Sequence, residues 1–340
     1  MIPSSFVRIP YLQMKETFLS ILLQHGFSSE KANTCAEVFA MNSLEGVYTH
    51  GVNRFSRFVQ YIKKGYVKVD HEAHLRSAFG CIEQWDGQLG PGPINALRCT
   101  TRSMEIASTN GFGCVALANT NHWMRGGYYG LQAARKGFVF IGWTNTTANM
   151  PAWGAVESKL GNNPIVIAVP YKEDAIVLDM AMSQYSYGSL ELYSLKNEKL
   201  LVPGGFNSEG NLTHDAASIL KSRRALPIGY WKGAGMSLLL DILATILSGG
   251  LSTTQISQLS AEHSVSQVFI SIDISKLSHY PAIEKTIQQI LEDYHTSIPV
   301  EEEKRIRYPG EHINVIREKN LREGIPVLKK VWDEICLIRS

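Results

Sequence analysis

The sequence predicts a mixed α/β fold, in which a central sheet packs beside helices contributed by both ends of the chain. Apolar residues recur at helical spacing up to Gly65, short β-branched runs dominate the middle, and helical patterning returns from Tyr280 onward. The length of 340 residues allows about two domains. We therefore expect a helical domain from residues 1–78 together with 280–340, and a sheet domain from residues 79–279.

The N-terminal segment is predicted to contain three helices. The first carries an apolar repeat from Leu12 to Leu22 and ends at Gly26, because glycine readily adopts the left-handed conformation that follows many helices. The second runs from about Ser29 to Leu44. A polar loop with glycines, Glu45–Asn53, leads to a third helix with apolar residues over Phe55–Ile62.

The middle of the chain alternates helices with strands and then contains a hairpin. The predicted elements are helices near Ile94–Ser108 and Gly127–Arg135, and strands at Cys114–Ala118, Phe138–Trp143, Pro164–Val169, Ala175–Met182 and Val268–Ile274. Residues 171–174 form a turn between two neighbouring Val/Ile-rich strands, which is typical of an antiparallel hairpin. The sheet should therefore be mixed rather than purely parallel.

Composition and charge argue against several classes of protein. The 33 Lys and Arg residues nearly balance the 31 Asp and Glu residues, and a net charge of +2 predicts no nucleic-acid partner. No uninterrupted apolar run reaches the roughly 18 residues of a membrane span, and the N-terminus lacks the pattern of a signal peptide. The five cysteines form no C-x-x-C pair. We expect a cytosolic (cytoplasmic) protein with no membrane partner and no metal.

One segment matches the spacing of the dinucleotide-binding fingerprint but not its context. Gly111–Ala116 fits G-x-G-x-x-[GA], yet a helix is predicted before the glycines and a strand after them. The fingerprint requires the opposite order, because the phosphates bind at the N-terminus of the helix that follows. We interpret these glycines as a helix end and a tight turn, which disfavours a Rossmann fold.

A second glycine-rich segment, Tyr230–Ser237, is the better candidate for a phosphate site. It contains Lys232 and directly precedes the apolar helix predicted over Leu238–Leu247. Glycines allow close approach of the backbone, and the unpaired N–H groups at a helix start attract anions. An ordinary glycine-rich helix start with a solvated lysine explains the same residues equally well.

Two loops carry histidine and arginine side chains suited to acid–base chemistry. His50 lies in the first predicted loop with Arg54 four residues later, and His122 and Arg125 lie between a predicted strand and a helix. Histidine exchanges protons near neutral pH, and arginine binds a carboxylate through paired hydrogen bonds. Local packing remains the alternative for both loops. A metal site from His50, His122 and His312 lacks the usual ligand spacing.

Six segments, in chain order, resemble the motifs of the malate/L-lactate dehydrogenase-type oxidoreductases, a family unrelated to the Rossmann lactate dehydrogenases. They are Gly46–Arg54, Asn121–His122, Gly161–Pro164, Leu178–Ala181, Lys232–Gly235 and Pro309–Glu311. The resemblance covers nearly the whole chain. The strings Glu83–Asp86, Asn121–Gly127 and Pro227–Ser237 are most similar to the branch of this family that reduces a sugar-derived 2-oxo acid.

The resemblance implies a non-Rossmann NAD(P)-binding sheet domain plus a helical domain built from both chain ends, assembled as a homodimer. It implies reversible hydride transfer between NAD(P)H and C2 of a small-molecule 2-oxo or 2-hydroxy acid. NADH is the expected cofactor, with NADPH left open, and reduction of a 2-oxo sugar acid is the expected reaction. The alternatives are a dehydrogenase of a malate-, lactate- or ureidoglycolate-type acid and a non-catalytic NAD-binding regulatory protein.

Carried over by position, the resemblance also implies roles for individual residues. His50 is the expected proton donor, and Arg54 and His122 are expected to orient the substrate, with the division of acid–base work between the two histidines left open. The expected substrate-binding residues are Asn121, Trp123, as a flat wall, and Arg125, as a donor to substrate oxygens.

The cofactor-binding residues implied by the resemblance come from four segments. They are Thr146, Ala175, Ile176, Val177, Leu178, Asp179, Met180, Ala181, Trp231, Lys232, Gly310, Glu311 and His312. Where the sugar-acid branch has Pro-Gly-His-Glu, this chain has Pro-Gly-Glu-His at residues 309–312. The contact at this last segment is therefore expected through the backbone.

Overall fold

The computed structural model describes residues 6–301 and 304–339, and it has the predicted mixed α/β class. The strands are β1 (Phe6–Ile9), β2 (His74–Phe79), β3 (Ile82–Asp86), β4 (Phe112–Thr120), β5 (Phe138–Thr144), β6 (Met150–Pro151), β7 (Ser158–Leu160), β8 (Ile165–Tyr171), β9 (Asp174–Met180), β10 (Gly205–Phe206), β11 (Leu212–Thr213), β12 (Val265–Asp273) and β13 (Ile325–Leu328). The helices are α1 (Tyr11–Gln24), α2 (Ser29–Leu44), α3 (Val52–Lys63), α4 (Gly92–Asn110), α5 (Gly126–Arg135), α6 (Tyr187–Lys196), α7 (Ala216–Ser222), α8 (Trp231–Ser248), α9 (Thr253–Ile256), α10 (Tyr280–His295), α11 (Ile313–Glu323) and α12 (Lys329–Arg339).

A seven-stranded sheet forms the centre of the molecule, in the order β2-β3-β4-β12-β5-β8-β9. Strands β3 and β4 are parallel, whereas β12 lies antiparallel between β4 and β5. Strands β8 and β9 form the predicted antiparallel hairpin at one edge. The prediction of a mixed sheet is therefore confirmed.

Both faces of this sheet are buried, because successive side chains of a strand point to opposite sides. On β4, Val115 and Leu117 pack in a core with α4 and α5, whereas Cys114 and Ala116 pack in a separate core with α8. The prediction that Gly111 ends a helix is confirmed, because this residue has φ 83° and ends α4 directly before β4.

The two ends of the chain meet in a small antiparallel sheet, in which Phe6 pairs with Leu328 and Ile9 with Ile325. The N-terminal helices and α12 share a core there, and its centre is a stack of Phe18 on Phe55 with ring centroids 4.1 Å apart. Helix α10 instead lies across a cleft from the turn of the β8–β9 hairpin. The proposed domain boundaries stay a prediction.

Helix α8 begins earlier than predicted, at Trp231 rather than after Ser237. The glycines therefore lie within its first turns and not in a loop before it. Gly233 is required there, because a Cβ at this position would lie 2.3 Å from the carbonyl oxygen of Ile228. The turn that leads into the helix places Tyr230 at φ 60°.

The outer face of α8 is apolar and exposed. Its exposed side chains are Trp231, Met236, Leu238, Leu239, Ile242, Leu243 and Ile246. By length and composition this one helix, among the residues described, could cross a membrane, and 33% of it is buried inside the fold. Its inner face packs on the sheet, where Trp143 Nε1 donates a hydrogen bond to the Leu240 carbonyl.

Candidate active site

A cavity of about 200 Å³ opens where the loops of the helical layer meet the sheet. Its walls include His50 from the loop after α2, His122 and Arg125 from the loop before α5, Thr146 from the end of β5, and Asp179 from β9. Residues that are far apart in sequence, and that the sequence assigned to catalysis, substrate and cofactor, thus border one space.

The first histidine is held by the end of α2. His50 closes a single 3₁₀ turn, Tyr48–His50, and its carbonyl oxygen accepts a hydrogen bond from Asn42 Nδ2 at 3.0 Å. The next residue, Gly51, lies so close to α2 that a Cβ there would be 2.2 Å from Ser43 Oγ. That hydroxyl accepts the Val52 N–H at 2.8 Å, which starts α3. The glycine in this loop therefore has a steric cause.

The second histidine is held in one tautomer by the backbone. The N–H of Met124 donates to His122 Nδ1 at 2.9 Å, so the proton of the neutral ring lies on Nε2. Asn121 anchors the loop, because its Nδ2 donates to the carbonyls of Tyr66, Leu89 and Gly90. The amide nitrogen of Asn121 is thus bonded to the backbone, the residue borders a small cavity beside His122, and its substrate-binding role stays a prediction.

The two imidazole rings face each other, with centroids 5.6 Å apart and planes at 22°. Burial, followed by the charges of Arg54 and Arg125, lowers the pKa of His50 to about 3. Burial likewise lowers the pKa of His122 well below its usual value, with further lowering by Arg54 and His50. Both rings are therefore neutral in the protein by itself, and an anion beside them would favour protonation.

Arg54 lies on the first turns of α3, beside His122 in a small cavity of about 20 Å³. Its guanidinium faces Glu262 at 3.6 Å, and it also borders a larger cleft of about 500 Å³. Two further arginines, Arg57 and Arg223, line that cleft. Glu191 and Glu262 line the same cleft, where they face Arg57 and Arg54.

Trp123 and Arg125 both border the cavity, each with a further contact inside the protein, and their substrate-binding roles stay predictions. The indole of Trp123 is 1% exposed and packs edge-on against Phe269 at 5.7 Å, and the residue also borders the cavity. The guanidinium of Arg125 borders the cavity, but it forms a buried ion pair with Glu45. Sequence analysis missed Glu45, although a charged residue at the end of an apolar helix, five positions before His50, is an available signal.

The predicted cofactor segments follow the edge strand β9 from one end to the other. At its middle, the Val177 N–H donates to the Pro309 carbonyl at 3.2 Å. Gly310 adopts φ 87°, and a Cβ there would lie 3.2 Å from the Val177 carbonyl oxygen. Beyond its end, the Ile228 N–H donates to the Met182 carbonyl at 2.8 Å and leads the chain into α8.

These contacts fit an extended ligand laid along β9. Seven strand residues span about 20 Å, with Ala181 and Thr146 on the cavity at one end and Glu311 on a cleft of about 390 Å³ at the other. Trp231 and Lys232 are exposed in the first turn of α8, outside the cavity wall. The side chain of His312 is exposed directly before α11. Within residues 6–301 and 304–339, no group of three His, Cys, Asp or Glu side chains could hold a metal ion.

Comparisons with known proteins agree on one family. The malate/L-lactate dehydrogenase family model matches residues 9–336. The 2,3-diketo-L-gulonate reductase of Escherichia fergusonii is 45% identical over 330 residues, covering 97% of this chain and 99% of the relative. The enzyme of the same name from Escherichia coli O139:H28 is 44% identical over the same shares.

Among solved structures, malate dehydrogenase from Pyrococcus horikoshii superposes with a TM-score of 0.89 at 30% identity, covering 99% of this chain and 96% of that one. Sequence and fold therefore agree over nearly the full length of the chain. The chain belongs to the malate/L-lactate dehydrogenase family of oxidoreductases, which act on a CH–OH or C=O group and whose chemistry implies a nicotinamide cofactor.

Proposed function

We propose that the protein reduces a 2-oxo sugar acid of the 2,3-diketo-L-gulonate type to its 2-hydroxy acid with NADH, with His50 as the proton donor. The observation that carries this proposal is the pair of facing rings of His50 and His122 near the C-terminal end of β9, with Arg54 beside them. The relatives named 2,3-diketo-L-gulonate reductase, at 44–45% identity, support the substrate class.

Arg54 binds the substrate carboxylate in this proposal. Its planar guanidinium suits a carboxylate through two hydrogen bonds, and its contact with Glu262 at 3.6 Å is longer than a hydrogen bond, so a substrate competes well for it. The arriving negative charge offsets the field of Arg54, which raises the pKa of His50 from its low value in the free protein. Substrate binding thus favours the protonated form of His50, which supplies the proton that the reaction consumes.

His122 then orients the C2 oxygen. Because Met124 donates to its Nδ1, protonating that nitrogen would break this hydrogen bond, and the neutral ring presents Nε2–H toward the cavity as a donor. At Nδ1 of His50 the partner is instead the Thr49 hydroxyl, at 3.1 Å. This difference supports His50 as the proton donor and His122 as the group that orients the C2 oxygen. The nicotinamide supplies the hydride that C2 receives.

The long cleft beyond Arg54 supports an extended substrate. Its polar lining includes Asn149, Tyr187 and Ser257 as well as Arg57 and Arg223, which can bind several hydroxyl and carbonyl oxygens. A pocket built for such oxygens discriminates against substrates that lack them, since its own polar groups would be left unpaired. Pyruvate and oxaloacetate are short in comparison.

We propose NADH rather than NADPH because the cleft beside Gly310 is acidic. Asp174, Glu292 and Glu311 line it together with Lys172 and His295. Glu311 is paired with His295 and with Arg305, each at 3.1 Å, and Asp174 is paired with Arg135 at 2.9 Å, so these cations are already engaged by carboxylates. Carboxylates suit a ribose hydroxyl and repel a phosphate.

We further propose that the protein is a cytosolic homodimer in which a second copy covers the outer face of α8. The exposed fractions of Leu239, Ile242 and Ile246 are 56%, 42% and 66%, and they lie in a row at helical spacing. A continuous apolar face of this kind marks an association surface. Asp241 on the same helix bonds the Thr253 N–H at 2.8 Å and ties the helix to the fold, which disfavours a bilayer as its partner.

The test follows the absorbance of the reduced nicotinamide with a panel of acids. We expect NADH consumption with 2,3-diketo-L-gulonate and a kcat/KM at least about 10-fold lower with pyruvate or oxaloacetate. Equal or faster turnover of the short acids would favour the malate- or lactate-type alternative. Saturable NADH binding without turnover of any acid would favour a regulatory protein.

A further inference from the structure

A buried ion pair joins the two loops that carry the histidines. Arg125 donates through a terminal guanidinium nitrogen to Glu45 Oε2, and the two side chains are only 3% and 1% exposed. Glu45 ends α2 five residues before His50, and Arg125 follows His122 by three residues and immediately precedes α5. The pair therefore connects the helical layer to the sheet at the cavity.

Stability alone does not account for two charges at this depth. Removing both from water costs about as much as their attraction returns, and well-packed apolar side chains of similar volume are often equally or more stabilising. An ion pair does specify direction and register, which apolar packing does not. Because the pair lies between the two active-site loops, it can set the position of one loop relative to the other.

The same guanidinium lies next to the strand assigned to the cofactor. The Gly127 N–H donates to Asp179 Oδ2 at 2.7 Å, at the start of α5. A Cβ on Gly127 would lie 2.9 Å from that oxygen and 3.4 Å from Arg125 Nε, so the guanidinium and β9 approach the same point. The loop of His50, the loop of His122 and β9 thus converge on Arg125.

We infer that the Glu45–Arg125 ion pair is a positioning device for the reaction, which holds the loops of His50 and His122 in register with each other and with β9. Both members are positioning residues and neither binds the substrate. The inference rests on the proposed function, because it assigns the pair a part in that proton transfer. Geometry of this kind matters strongly, since a displacement of about 1 Å can cost about 100-fold in rate.

The pKa of His50 is a second quantity that depends on this ion pair. The charged and titratable groups that face the His50 ring are Arg54 from α3, His122 and Arg125 from the loop before α5, and Asp179 from β9. Arg125 lowers the pKa of His50. Removing this cation should raise that pKa, whereas removing Glu45 leaves the cation unopposed and should lower it further.

The experiment compares a double variant with a matched control in the full-length protein. Glu45→Met with Arg125→Met replaces the pair by apolar side chains of similar length. The control is Glu83→Met with Arg102→Met, which removes an ion pair of 2.7 Å between β3 and α4 whose carboxylate is also buried. Neither control residue lines the cavities around the histidines. Thermal unfolding, kcat, and KM for NADH are measured for each.

We expect the Glu45/Arg125 double variant to lose at least about 10-fold in kcat while KM for NADH stays within about 2-fold, and the control to keep its kcat. Arg125→Lys, which keeps the charge, should recover part of the loss. A folded double variant with the wild-type kcat would overturn the inference. If wild-type protein consumes no NADH with any 2-oxo acid, the proposed function fails instead, so the two failures are distinguishable.

The single variants decide the question even if the double variant does not fold. For reduction, the protonated donor is needed, so activity falls as pH rises through the pKa of the donor. Arg125→Met should move that fall in kcat/KM to higher pH, and Glu45→Gln should move it to lower pH. Shifts in the same direction, or no shift in either variant, would show that the pair serves the fold alone.

Discussion

At the scale of the residue, the two histidines differ in what lies at Nδ1. A backbone N–H holds His122 in one neutral tautomer, whereas Nδ1 of His50 contacts the rotatable hydroxyl of Thr49. Neither ring is charged in the free protein, because burial and the neighbouring arginines lower both pKa values. The proposed division of labour follows from this difference and is open to direct test.

Replacing the proposed donor tests its role. His50→Ala should lower kcat by at least about 100-fold, because proton transfer to the C2 oxygen contributes rate enhancement of about that size. Binding of NADH should change by less than about 2-fold. His214→Ala, at a histidine whose ring bonds the Leu200 carbonyl far from the cavity, is the control. Near-normal turnover of His50→Ala would transfer the role to His122.

The pH dependence of the wild-type enzyme gives a second test. The pKa of His50 is about 3 in the free protein, and the bound carboxylate raises it. The profile of kcat/KM reports the free enzyme and that of kcat the complex. The fall of activity with rising pH should therefore come at higher pH in kcat than in kcat/KM. Coincident profiles would contradict the proposal that the substrate loads the proton.

The glycine after His50 makes a prediction about stability. Gly51→Ala puts a Cβ against Ser43 Oγ and the Phe39 carbonyl, and should lower the free energy of unfolding by about 1–3 kcal/mol. Gly235→Ala is the matched control, since a Cβ there has open space on a helix, and it should raise the free energy by about 0.5–1 kcal/mol. Denaturant unfolding of both variants decides, and equal effects would refute the steric argument.

At the scale of the element, the two faces of α8 differ in their surroundings. Its inner face fills the second core of the sheet, and its first turn presents Trp231 and Lys232 near the end of β9. Its outer face is apolar and exposed. A soluble fold rarely leaves so much apolar helix uncovered, and this motivates the proposed dimer.

Charging that face should break the dimer. Ile246→Asp places a carboxylate at a residue that is 66% exposed on α8, and the mass in solution should change from dimer to monomer. Light scattering coupled to size-exclusion chromatography measures it. Leu195→Asp, at a similarly exposed apolar residue on α6, should remain dimeric. A monomeric wild-type protein would refute the proposed assembly.

At the scale of the whole molecule, one strand connects two clefts. Strand β9 is an edge strand of the sheet, with the histidine cavity at its C-terminal end and the acidic cleft at its start. Helix α10 forms one wall of the acidic cleft, and the loop after α2 forms part of the wall of the cavity. The function therefore depends on parts from along the whole chain.

The acidic cleft can be tested by reversing one charge. Glu292→Lys should lower KM for NADPH by about 10-fold relative to that for NADH, because a lysine favours a 2′-phosphate. Glu284→Lys, on the same helix and outside the cleft, is the control and should leave the ratio unchanged. An unchanged ratio in Glu292→Lys would place the adenosine end of the cofactor elsewhere.

Local patterns were sufficient for most of the fold. The N-terminal helices, the β8–β9 hairpin and the helix end at Gly111 follow from apolar period and from glycine, because these signals act over a few residues. The sequence predicts the start of α8 seven residues too late, because its glycines suggest a loop. The contact of Gly233 with Ile228, five residues earlier in the turn that leads into the helix, shows why glycine lies inside the helix.

By itself the sequence determined the mixed α/β class, the family through motifs along the whole chain, and the identity of the histidines as candidates. The partners of the site residues depended on tertiary structure. Trp123 and Arg125 are suited to a substrate by chemistry alone, and their burial against Phe269 and Glu45 gives them other contacts. The physical reason is that a side chain's partner is chosen by packing between segments distant in sequence, for which local patterns carry no signal.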